Sequence, residues 1–350
     1  MFVTFLYFIL ILGVIVLVHE FGHFIFAKMF GVHVYEFSIG MGPKIWGTKP
    51  KKKGKTPLNI RAFPIGGYVS LAGEEVDSDD DKKIPVKDRL YSKPKWQRFL
   101  IMFFGAGNNF ILALLILFSL GLFKGSPIMD PVVRELDESY PMYQAGIRVN
   151  DRFVSINNQK VDTSDDVQVY LALAQKDAEA TFVMERNGEK TTYKITPVKE
   201  KENDETIYRF GIVFENKYEK GCIPAIKYTF TKTGALLKQM CIVIKSLFTG
   251  RLGLNNLSGP VGIYGIVGEA KAYGFSNILY LIAVLSINVG FINLIPLPAF
   301  DGGRILFLII EAIKGSPVSP KTEGMIHTVG FILLIILMII ITLNDIIKLF

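Results

Sequence analysis

The sequence predicts a polytopic α-helical membrane protein with about four transmembrane helices, a membrane-associated β-hairpin or sheet region, and one inserted α+β domain. Three observations predict it. Half of the 350 residues are apolar. Four stretches, roughly Phe2 to Phe30, Phe99 to Phe123, Ile278 to Ile313 and Thr328 to Leu349, reach the twenty or so apolar residues that a bilayer crossing needs. Between the second and third of them lies a polar segment with alternating strand-like runs and turn residues.

The first stretch lacks a basic leader and a small-residue cleavage site, so it reads as a retained helix and not a signal peptide. Near its end stands His19-Glu20-Phe21-Gly22-His23. Residues four apart share a helix face, so His19 and His23 can offer two imidazole nitrogens to one zinc ion, with Glu20 beside them as general base. Ionisable groups inside an apolar span are costly and mark function.

Phe30 to Arg98 mixes strand and turn signals. Val34 to Ile39 reads as a strand that Gly40-Met41-Gly42-Pro43 breaks. Leu58 to Phe63 alternates, Pro64-Ile65-Gly66-Gly67 turns, and Tyr68 to Leu71 alternates again, which predicts a hairpin or small sheet beside the membrane. Glu74 to Lys83 is acidic and polar and reads as a loop. The net charge of +7 is concentrated here, in Lys49 to Lys55 and in Lys82 to Arg98. That enrichment places loop 31–98 in the cytoplasm and, with four spans, both termini and the inserted domain outside. A nucleic-acid partner is not expected: Asp77, Asp79, Asp80 and Asp81 interrupt the basic run and no recognition helix is evident.

After the second span, Lys124 to Glu200 forms the inserted domain. Val132 to Leu136 and Asp151 to Ile156 read as strands, and Asp165 to Gln175 as a helix. Ala180 to Glu185 and Thr191 to Thr196 flank Asn187-Gly188 as a hairpin. Ile223 to Phe248 mixes lysines into an apolar run, as in a helix lying on a membrane or protein surface. Asn255 to Gly274 is Gly-rich, a loop or a place of close backbone contact. Cys222 and Cys241 have no metal or disulfide spacing and read as free thiols. The predicted divisions are 1–123, the first half of a transmembrane core; 124–200, the inserted domain; 201–275, an amphipathic linker; and 276–350, the second half of the core.

Two histidines do not complete a catalytic zinc site, which normally takes three protein ligands. His33 and His327 lie at span ends, where polar residues gather. Asp301 is the better third ligand. It follows Asn293-Leu294-Ile295-Pro296-Leu297-Pro298-Ala299-Phe300, where two prolines break the third span, and precedes Gly302-Gly303. Irregular backbone at membrane depth survives only when buried in protein or lining a wet cavity. An Asp there could also cap the helix that restarts.

The first motif together with Asn293 to Gly303 resembles the site-2 protease family of intramembrane zinc metalloproteases. Phe37 to Pro43, Gly67-Tyr68-Val69 and Ser258-Gly259-Pro260-Val261-Gly262 are similar to its bacterial branch, of the regulator of sigma-E protease type. Ala145-Gly146-Ile147, Asn150-Asp151 and Ile156-Asn157-Asn158 resemble a PDZ domain, one copy where the best-known relatives have two.

The resemblance implies that His19, His23 and Asp301 bind Zn2+, that Glu20 activates water, and that Asn293 helps bind substrate backbone. It implies a break near Gly105-Ala106-Gly107-Asn108-Asn109-Phe110, but Ala106 stands where proline is usual; Asn109 remains a candidate substrate contact. It also implies a multi-pass protein of the bacterial cytoplasmic (inner) membrane, with membrane lipid and single-pass membrane proteins as its partners. Its substrates would include anti-sigma factors or signal-peptide remnants. A substrate helix must unwind to be cut, and a strand edge around Ile60 to Leu71, with Gly67 and Tyr68, could receive it. Two other readings compete. A membrane scaffold presenting a PDZ domain would need neither Glu20 nor Asp301. A transporter with a broken-helix ion site would show an inverted repeat of the Pro-interrupted segment, and none is visible.

Overall fold

Largely apolar sequence gives helix α1, Phe2–Met29, the first of four helices among the described residues that are long and apolar enough to cross a membrane. A computed structural model describes residues 1–48, 56–74, 81–173, 179–202, 205–213, 217–250 and 252–348. The lysine run 49–55 and the acidic run 75–80 lie outside the described residues. Strand β1 is Val34–Gly47 and β2 is Leu58–Leu71; after three short 3-10 turns, helix α2 covers Lys95–Lys124. The chain divides into two compact units, Met1–Ile116 with Leu254–Phe350, and Leu117–Gly253.

In the first unit, β1 and β2 pair antiparallel, and both are bent. Ser38 pairs with Tyr68 on one side and Asn59 on the other, and Asn59 pairs again with Gly47. The sheet is thus four ribbons wide from two strands. Of the expected hairpin or small sheet, the structure has the sheet: the two halves of Leu58 to Leu71 pair with β1 and not with each other. The expected break at Gly40 to Pro43 is a bend within β1. Gly40 (φ +84°), Gly42 (+85°) and Gly66 (+82°) take left-handed backbone that lets each strand fold over without ending. Val34, Phe37, Val69 and Leu71 of this sheet pack with Ala27 of α1 and Ile101 of α2 in one core.

The second unit continues through β3 (Ser126–Pro127), β4 (Glu135–Leu136), α3 (Pro141–Gln144), β5 (Arg152–Ile156), β6 (Gln159–Lys160) and α4 (Ser164–Leu173). It goes on through β7 (Ala180–Arg186), β8 (Glu189–Ile195), β9 (Val198–Glu202), β10 (Glu205–Arg209), β11 (Ile212–Val213), β12 (Tyr218–Glu219) and α5 (Cys222–Phe248). A four-stranded sheet in the order β6-β5-β7-β8 carries the core, in which Phe153, Phe182 and Phe210 are buried. Asn187 and Gly188, both at positive φ, make the β7–β8 turn that the Asn-Gly pair predicts. Asp151, buried, takes two hydrogen bonds of 2.6 Å from the Arg186 guanidinium. Helix α5 is tied to α4 by Lys232 to Asp165 at 2.6 Å and by Lys238 to Asp166 at 2.9 Å, and Lys238 also pairs with Asp162, just ahead of α4, at 2.8 Å. Ile223, Ile226 and Phe230 leave an exposed apolar stripe on α5, and both cysteines are free.

The first unit resumes with α6 (Pro260–Ala272), α7 (Phe275–Leu294), α8 (Asp301–Lys314) and α9 (Pro320–Ile347). The Gly-rich segment is therefore largely helix. Its entry is explained by a residue far along the chain: buried Asp345 of α9 accepts the Gly259 and Gly262 amides, each at 2.8 Å. A Cβ at either glycine would press on that carboxylate, which is why glycines stand there. Pro296 and Pro298 end the apolar run of α7 as expected, and helix restarts at Asp301.

Candidate metal centre

The site forms where three helices meet. α1 and α2 cross closely because both carry glycine at the crossing. A Cβ on Gly22 would overlap the Phe104 carbonyl, and one on Gly105 would overlap the His23 ring. The Phe26 and Phe104 rings stack at 3.9 Å beside the crossing, and Asn108 donates to the Val18 carbonyl at 3.4 Å. Helix α2 stays regular through Ala106, so the break that proline would make is absent. The third helix, α8, delivers Asp301 as its first residue. The Asp301 side chain does not cap α8; it turns to the histidines.

His19 Nε2, His23 Nε2 and Asp301 Oδ2 lie 3.3 Å from one another on all three edges. Their side chains are 12 to 16 % exposed. His23 Nδ1 donates to the Ile101 carbonyl at 2.9 Å. A carbonyl can only accept, so the His23 proton sits on Nδ1, and Nε2 points a lone pair into the triangle. A carboxylate oxygen and two imidazole nitrogens facing one point call for a cation. Three ligands at about 2.0–2.1 Å from one tetrahedral zinc stand about 3.3–3.4 Å apart, the edge length found here. The residues fit zinc.

Glu20 lies beside the triangle and is not part of the ligand cluster. Its Oε2 accepts the Val69 amide of β2 at 3.0 Å. Gly67 passes over the same side chain: an ideal Cβ there would stand 3.9 Å from Glu20 Cγ and 2.8 Å from the Ser38 carbonyl. The edge of β2 therefore lies against the site. Two residues further on, the Leu71 amide donates to Glu74 at 3.3 Å, and Glu74 pairs in turn with Arg304 of α8.

The other expected residues are placed as follows. The Tyr68 hydroxyl donates to Glu36, which also holds Arg61, so that side chain is engaged within the sheet. Asn293 is partly buried on the last turn of α7. Asn109 is fully buried in α2, with neither amide atom hydrogen-bonded among the described residues. His327 is not in the cluster; its Nδ1 accepts the Ala299 amide at 3.1 Å. His33 packs its ring edge-on to Tyr35. Spacing alone could not have shown the Val69 amide, Gly105, Glu74 or Arg304, because each reaches the site through a tertiary contact.

The description "Peptidase family M50" matches residues 7–337. The chain belongs to peptidase family M50. A Fusobacterium nucleatum relative, a zinc metalloprotease by name, is 35 % identical over 349 residues, with 99 % of each chain covered. The zinc metalloprotease RasP of Bacillus licheniformis is 32 % identical over 422 aligned positions, covering 99 % of both chains. The regulator of sigma-W protease RasP of Bacillus subtilis is 33 % identical over 423, again covering 99 % of both. This M50 member is an intramembrane zinc metalloprotease of the site-2 type, and zinc is its cofactor. Neither the scaffold nor the transporter reading gains support.

Proposed function

We propose that His19, His23 and Asp301 hold the zinc and that Glu20 is the general base for hydrolysis of peptide bonds in or near the membrane segments of single-pass proteins. The observation that carries this reading is the 3.3 Å triangle of His19, His23 and Asp301, with Glu20 one residue from a ligand. Zinc bound there supplies Lewis acidity, polarising the scissile carbonyl and lowering the pKa of a bound water. Glu20 takes the proton of the attacking water and returns it to the leaving amine. Before substrate docks, the Val69 amide holds one Glu20 oxygen beside the triangle.

A substrate helix hides its peptide groups in its own hydrogen bonds. It is cut after it unwinds and adds as a strand along Gly67 to Leu71, with Asn293 contacting its backbone. Asn109, buried as it is, serves this only if α2 opens. The segment 124–200 is a PDZ-like domain that screens out substrates with bulky outer portions. The two halves of the transmembrane core are assigned to 1–123 and 276–350, and 201–275, which ends in α6 of the first unit, is the amphipathic segment that connects the PDZ-like domain to the second half. The protein sits in the bacterial cytoplasmic membrane with loop 31–98 inside and both termini outside. The RasP name makes a membrane protein that restrains a sigma factor the first substrate class to try.

The test is co-expression with candidate single-pass proteins. Glu20→Gln should lose cleavage by about 10²- to 10⁴-fold while retaining zinc. Equal cleavage by both forms refutes the role of Glu20. Gly67→Ala, which pushes on the Ser38 carbonyl, and Tyr68→Phe should reduce cleavage and spare zinc content; unchanged cleavage removes the strand-addition step.

A further inference from the structure

Just ahead of Asp301 the backbone adopts a conformation that needs outside support. Ala299 has φ +76°, the left-handed region that a side chain with Cβ disfavours. The turn containing it is poor in donors, since Pro296 and Pro298 carry no N–H. Leu297 donates to Ile295 at 2.7 Å, and Phe300 to Leu297 at 3.4 Å, both within the turn. The Ala299 amide instead leaves the turn and donates to His327 Nδ1 of α9 at 3.1 Å.

The same part of α9 is pressed against the turn. A Cβ on Gly330 would overlap Pro298, and one on Gly303 would stand 3.3 Å from His327 Cε1. Because Nδ1 accepts, the His327 proton is on Nε2, which is buried without a hydrogen-bond partner among the described residues. The polar contact of this ring is therefore the one to Ala299.

We infer that His327 is a positioning residue: by accepting the Ala299 amide it locks the left-handed turn that sets Asp301 within 3.3 Å of both imidazoles. The inference rests on the assignment of Asp301 as a zinc ligand. Asp301 is the first residue of α8, so its direction follows directly from the turn before it. Releasing the turn moves the carboxylate away from His19 and His23 without touching either.

The experiment is zinc competition against a chelator on the purified full-length protein in detergent, with thermal melting as a check on folding. Asn places its Oδ1 close to where Nδ1 stands, whereas Leu fills the space and cannot accept. His327→Asn should keep near wild-type zinc affinity; His327→Leu should weaken it about 10- to 100-fold, the usual effect of removing a group that orients a ligand. Adding Ala299→Gly to His327→Leu should recover part of that loss, because glycine adopts positive φ freely. Wild-type affinity in His327→Leu, or equal loss in the Asn and Leu variants, overturns the inference. Asp301→Asn separates the two levels: if it also leaves zinc affinity unchanged, the ligand assignment itself has failed.

Discussion

Gly105→Ala is the sharpest probe of how α2 supports the metal centre. The added Cβ would lie 2.9 Å from His23 Cδ2 and closer still to Cε1 and Nε2. Non-bonded carbons settle at about 3.5–4.0 Å, so the ring must withdraw by about 1 Å. Zinc ligand distances tolerate only about 0.2 Å. The hydrogen bond from His23 Nδ1 to the Ile101 carbonyl opposes the withdrawal from the other end of the ring. On the proposed assignment of His19, His23 and Asp301, the site would then lose the geometry of one ligand in three. Chelator competition should show zinc affinity reduced by about 10- to 100-fold or more, or about 1.4–2.8 kcal/mol. Alanine is the better helix former by about 1 kcal/mol, so the effect is not one of weakened helix. Gly107→Ala is the control, since the nearest atoms to its Cβ are ring carbons of Phe103 and Phe104, at 3.2 to 3.5 Å. Wild-type zinc affinity and cleavage in Gly105→Ala would refute the packing argument.

Two further expectations concern stability. Burial works to raise the pKa of Asp151, but the Arg186 guanidinium and the Arg148 amide outweigh it and hold the carboxyl below the usual range. Its stabilisation is therefore present above the unfolded value of about 3.9 and is lost as pH falls through the folded one. Circular dichroism between pH 7 and pH 2 should show this loss, and Asp151→Asn should be less stable at neutral pH with a flatter profile. Asp345→Ala removes the acceptor for two amides at the start of α6 and should cost about 0.5–2 kcal/mol, read by thermal melting and by faster exchange of the Gly259 and Gly262 amides.

The parts of the site that are legible in the sequence are those fixed by local spacing. His19 and His23 share a helix face whatever surrounds them, and Pro296 and Pro298 must interrupt α7. The Asn-Gly turn between β7 and β8 is legible for the same reason. What the sequence hides is the pairing of distant elements. The glycines of β1 and β2 look like strand ends, yet glycine at positive φ is equally a bend, and only the partner strand decides. Ser258 to Gly262 stands out as a motif, but its reason lies in Asp345, on the last helix. His327 reads as an ordinary polar residue at a span end, because its hydrogen bond reaches a backbone amide that no side-chain pattern reveals.

The β2 edge beside Glu20 has a consequence for selectivity. Its outward amides at Val69 and Leu71 are already bound to the protein's own acids, Glu20 and Glu74. A ribbon occupied in this way is not sticky. Passing helices, whose amides are satisfied internally, gain nothing by unravelling against it. On the proposed strand addition, a segment already prone to come undone would trade places with these two carboxyl side chains, and the threshold for being cut would be set partly by the fragility of the visitor.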